Sequence, residues 1–178
     1  MSVFSTIMPA DVEVATSPSG FLRGTRVMTP VGWRAIEDLV PGDLLQCCKG
    51  HEVRITGRRV RRLLGTEAKV VSVSGEARGA GRRADSLLLA PDQMIVVAGD
   101  RLAAYFGVEE ALAPVGALVN GGDLRLVDAP LSELWIEIET DEPCALVVEG
   151  LQVALGDASR TTRPALSEVE ARLLALAA

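Results

Sequence analysis

Few side chains in this sequence could make or break a covalent bond. Cys47, Cys48 and Cys144 are its only thiols and His51 its only imidazole. Any Ser–His–Asp or Cys–His arrangement would therefore hang on His51 alone. A zinc site needs about four converging ligands, and the adjacent Cys47 and Cys48 lack CxxC spacing, so neither a metal nor a cofactor is expected. An odd count with two neighbours is also a poor disulfide framework, and buried free thiols are the simpler reading. Gly20, in TSPSGFLRGT, has no side chain, and Gln93, in LLLAPDQMIVV, cannot exchange a proton near neutral pH.

Short segments with turn residues between them must position these groups. Thr25–Met28 is strand-like, TPVG turns, and IEDLVPGD makes one helical turn closed by Pro41–Gly42. Strand-like runs follow at Glu52–Leu64, Ala68–Val73, Leu87–Leu89, Met94–Ala98, Leu124–Val127, Leu134–Thr140 and Ala145–Glu149. In the run from 134 to 140, Leu134, Ile136 and Ile138 share one face, while Trp135, Glu137 and Glu139 share the other. Spacing of this kind predicts an all-β domain. The Gly- and charge-rich stretch 76–85 reads as a flexible loop. At the end, SEVE (167–170) has the pattern of a capping box, and Val169, Leu173, Leu174 and Ala177 form one helical stripe.

Composition narrows the partners. The length, 178 residues, suits one domain, and 48% hydrophobic residues can fill a core in which only 3% are aromatic. A formal net charge of −6 argues against nucleic acid, which rewards a basic surface. The exception is RITGRRVRR, with Arg54, Arg58, Arg59, Arg61 and Arg62; without interleaved aromatics it reads as the solvent face of a strand pair. No apolar run approaches the roughly 18 residues of a membrane span, and the first residues carry no basic flank, so a cytoplasmic location is expected.

The run Gly24-Thr25 … Thr29-Pro30-x-Gly32-Trp33-Arg34 … Ile36-Glu37-x-Leu39-x-Pro41-Gly42-Asp43 resembles the start of a Hint (Hedgehog/intein) domain of the compact bacterial type. LLLAPDQMIVV (87–97) is similar to that type's second block. YFGVEEALAPVGALVNG resembles the following segment, and LWIEIE … ALVVEGL the closing strands. The resemblance implies a horseshoe of mostly antiparallel short strands over 20–155, between a lead segment at 1–19 and a linker with a short C-terminal helix at 156–178.

Family members that process themselves use a Cys or Ser at the scissile bond, a second-block His that protonates the departing nitrogen, and a later polar residue. By resemblance these roles fall on Gly20, on Gln93 and near Trp135, with a shift of a residue or two tolerated there. None of the three can perform the expected chemistry. Thr25, Asp92 and Gln93 are expected to line the groove that remains. The expectation is a domain that is not an enzyme and that binds or scaffolds an unidentified protein partner. Two alternatives stay open. Ser19, one residue upstream, could serve as a substitute nucleophile for cleavage near Ser19–Gly20, or the C-terminal helix or arginine stripe could be the working surface.

Overall fold

The computed structural model describes residues 12–64, 67–156 and 162–176. Two sheets account for most of it. Sheet A contains β1 (Val12–Ala15), β2 (Phe21–Leu22), β5 (Leu44–Gln46), β6 (Glu52–Leu63), β7 (Lys69–Val73), β8 (Leu87–Leu89), β11 (Leu124–Asp128) and β12 (Leu134–Thr140). Its order is β1-β6-β12-β2-β8-β7-β11, with β5 also on β6. Sheet B contains β3 (Arg26–Thr29), β4 (Gly32–Ala35), β9 (Met94–Ala98), β10 (Glu110–Pro114), β13 (Cys144–Val148) and β14 (Leu151–Leu155), in the order β10-β9-β14-β13-β3-β4. The expected all-β class is observed, and among the described residues every strand-to-strand pairing but β1 with β6 is antiparallel, with one isolated parallel bridge from Leu112 to Ala165.

One core joins the sheets: Phe21, Leu89, Ile136 and Ile138 of sheet A pack with Val27, Ile95, Leu146 and Val153 of sheet B. The alternation of β12 explains this, since Ile136 and Ile138 face that core. Trp135, on the opposite face, fills a separate cluster with Leu63, Val70 and Ala129. The strand is therefore covered on both sides at that point. Residues 12–15, read from sequence as part of a lead, pair with β6 in parallel, from Val12 opposite Val60 to Ala15 opposite Leu63.

The stretch 76–85 differs from the flexible loop that composition suggested. Arg78 is buried, and its guanidinium donates to the backbone of Glu149 at 2.6 Å and to the carbonyl of Asp85. Composition alone hides this, because one inward arginine among several outward ones leaves no pattern.

Two α-helices occur among the described residues, α1 (Asp100–Phe106) and α2 (Glu168–Leu176). The capping box forms as read: Ser167 Oγ accepts from the backbone of Glu170 at 3.3 Å, and the Glu170 carboxylate accepts from the backbone of Ser167 at 2.7 Å. The apolar stripe is corrected. Ala171 is buried and Leu174 half-buried, whereas Val169 and Leu173 are exposed; Ala177 lies outside the described residues. The helix is short and rests on β10 and the turn at 115–118 through small residues, which turns its larger side chains outward.

The hydrogen bonds from Ser167 hold the Glu170 carboxyl below its ordinary value. A depressed pKa stabilises the helix end above the unfolded-state value, and that contribution is lost as pH falls through the folded value. In Ser167→Ala, which keeps the backbone donor and loses the hydroxyl, Glu170 should titrate closer to the ordinary glutamate position by NMR; an unchanged titration would remove the side-chain capping assignment. No helix of the described residues is long and apolar enough to cross a membrane.

Candidate functional site

A cleft of about 540 Å3 opens where five segments meet: Ser19–Phe21, β6 at Arg59, the turn before β9, the second half of β12 and the end of β14. Each segment is placed by backbone pairing. Phe21 lies opposite both Ile136 of β12 and Leu89 of β8, which fixes residues 19 and 20 at the rim. The turn closes with a hydrogen bond from the backbone of Gln93 to Ala90 at 3.0 Å. Gln93 itself spans the cleft, its side-chain amide donating to the Ala154 carbonyl of β14 at 2.7 Å.

Gly20 is the most constrained member. Its φ of 75° is left-handed, a region that side-chain-bearing residues enter at a cost. A Cβ there would fall 2.3 Å from the carbonyl oxygen of Ile136. Space as well as conformation excludes a side chain at this position.

Beside it, Ser19 Oγ accepts a hydrogen bond from Arg61 at 3.2 Å, and the same guanidinium reaches Glu137 at 3.3 Å and Glu13 at 3.5 Å. A guanidinium stays protonated, so Arg61 cannot take the serine proton. Across the strand pair, Arg59 meets Glu139 at 2.9 Å. Arg58 donates to the Glu37 carbonyl and Arg54 to that of Gly42. Four of the five arginines of the stripe are thus committed within the fold.

Of the expected groove residues, Asp92 and Gln93 line the cleft together with Gly20 and Ser19. Thr25 does not: it is buried, and its carbonyl accepts from the backbone of Ile36. Trp135 lies in the core, and Glu137, two residues on, lines the cleft in its place. Sequence reading missed Arg59, Arg61, Glu137 and Glu139 as one group. The alternating acids of β12 set against the arginine run of β6 were the available signal, because such faces pair across neighbouring strands.

His51 lies elsewhere, exposed in the turn where the backbone of Cys47 donates to its carbonyl at 2.8 Å. The thiols also sit apart from the cleft wall. Cys47 and Cys144 are buried and hydrogen-bonded to each other, and desolvation pushes both thiols up. Cys48 is half-buried, with the Arg163 guanidinium donating to its sulfur at 3.5 Å. A thiol-specific disulfide reagent at pH 8 should titrate Cys48 rapidly and reach three equivalents only in denaturant. Three rapid equivalents would contradict the burial. No group of three or more His, Cys, Asp or Glu able to hold a metal ion occurs among the described residues.

Residues 19–154 match a family model described as a Hint domain. The solution structure of a bacterial intein-like domain from Clostridium thermocellum superposes with a TM-score of 0.50 at 13% identity, covering 78% of this chain and 99% of that one. The crystal structure of the MchDnaB-1 intein gives 0.47 at 14%, covering 77% and 100%. That of the Msm DnaB1 intein splicing domain bound with zinc gives 0.46 at 16%, covering 75% and 98%. No curated protein matches the sequence.

Proposed function

The chain belongs to the Hint domain family, and from that premise we propose that it retains the family's fold and cleft without self-cleavage or splicing, and serves as a binding or scaffolding module for another protein. Gly20 carries this reading. An acyl shift needs a nucleophile at the scissile bond; here the first position is a left-handed glycine packed against the Ile136 carbonyl. Gln93 supports it from the second position, because its amide braces β14 and can protonate nothing. The arginine stripe, largely spent on internal partners, is assigned to holding strands together.

A second reading rests on Ser19, which lines the same cleft and is held by Arg61. A cation beside the hydroxyl would favour its alkoxide, and attack on the Pro18 carbonyl would turn the amide into an ester. The lining contains no imidazole to remove the proton or return it to the leaving nitrogen.

Intact mass of the purified chain separates the two. It should be followed for days at neutral pH, with and without dithiothreitol, under denaturing conditions because β1 would hold an upstream fragment on β6. One unchanged mass is expected. Fragments summing to a break near Ser19, abolished by Ser19→Ala, would establish the second reading instead.

A further inference from the structure

We propose that the chain binds a small anionic amphiphile, an aliphatic chain bearing a carboxylate, in a second cavity distinct from the cleft. This cavity of about 530 Å3 lies where α1 and α2 meet both sheets, within the ~300–1,000 Å3 of small-ligand sites. Its walls come from separate elements: Val73 of β7, Ile95 of β9, Leu102 of α1, Leu151 of β14 and Leu174 of α2. It shares no lining residue with the cleft, so the inference does not rest on the function proposed above.

The lining selects the ligand's chemistry. No aromatic residue borders the cavity, so a planar ring finds nothing to stack on. Branched aliphatic walls suit a flexible hydrocarbon chain. The only charged residues in the lining are Asp100 and Arg101. Asp100 stands in the first turn of α1, where the helix dipole offsets a carboxylate. Arg101 is exposed and makes no ion pair among the described residues. An anionic head at Arg101 would stay hydrated while its chain enters the apolar space.

Isothermal titration with decanoate below its micelle concentration tests the assignment. Saturable one-to-one binding is expected, with butyrate too short and decyltrimethylammonium of the wrong charge to compete. Arg101→Glu should weaken decanoate binding at least tenfold. Ala175→Phe, which fills the cavity from α2, should do the same while circular dichroism shows a folded chain. If that variant does not fold, Arg101→Glu, an exposed substitution, decides. Absence of saturable binding, unchanged affinity in Arg101→Glu or in folded Ala175→Phe, or equal binding of the cationic probe would overturn the proposal.

Discussion

Gly20→Cys, which on the proposed function supplies a nucleophile of the family's type, is expected to lower stability by about 2–5 kcal/mol and still leave the chain uncut. Two costs add. A side-chain-bearing residue in the left-handed region costs about 1–2 kcal/mol, and overpacking that shifts the backbone typically costs about 1–3 kcal/mol. The second applies because the new Cβ would overlap the Ile136 carbonyl at 2.3 Å and the Glu137 Cα at 2.9 Å. These are backbone atoms of β12, which is hydrogen-bonded into sheet A on both sides and cannot simply rotate away. Gly24→Cys is the control: its φ of 90° carries similar strain, with nothing within 4 Å of the added atom. Urea denaturation should show the Gly20 variant clearly less stable than the Gly24 variant. Equal losses would mean that position 20 has room, and thiol-induced cleavage of Gly20→Cys would show that the cleft still works once supplied with a nucleophile.

A single lost nucleophile could be restored by a single substitution. Here the backbone of β12 occupies the space such a side chain would need, and the Gln93 amide braces β14. Position 20 and position 93 are both committed to packing and backbone hydrogen bonds. On the function proposed above, placing a nucleophile at position 20 would therefore require moving strands as well as exchanging side chains.

Local chemistry made parts of this structure legible in advance. Thr29 and Gly32 close their turn with a 2.7 Å hydrogen bond, and Asp43 accepts from the backbone of Val40 at 3.1 Å, as Thr-Pro-x-Gly and Pro-Gly-Asp sequences suggest. The alternation around Ile136 was readable because one face of the strand had to be apolar. Other features depend on distant chain. α1 has no side-chain cap and only seven residues, so little in its sequence announces it. Thr25 sits near the groove residues in motif order, but its backbone is engaged with Leu22 and Ile36, which turns it into the interior. The salt bridges of the cleft needed the register between β6 and β12, and a single-residue slip would have exchanged faces.

Arg78 is the clearest case of long-range dependence, and Arg78→Ala is expected to cost about 1.5–3 kcal/mol, the usual worth of a hydrogen bond to a charged group. Its side chain is 2% exposed and meets the Glu149 carboxylate at 3.3 Å as well as the Glu149 backbone. Glu149 and Gly150 form the two-residue turn between β13 and β14, with φ of 46° and 90°. Both values are positive, as a type I′ hairpin requires. The guanidinium thus fastens the loop between β7 and β8 to the hairpin whose far end supplies Ala154–Gly156 to the cleft. Arg78→Lys keeps the charge but loses the planar fork, so it should recover only part of the loss. Arg78→Met with Glu149→Gln should be less damaging than Arg78→Met alone, because the half-buried carboxylate is then replaced by a neutral amide. Urea denaturation reads these differences, and hydrogen exchange should show β14 amides losing protection in Arg78→Ala. A loss below about 1 kcal/mol, in the range of an exposed pair, would mean the loop is only resting on the hairpin and that β14 holds the cleft wall without it.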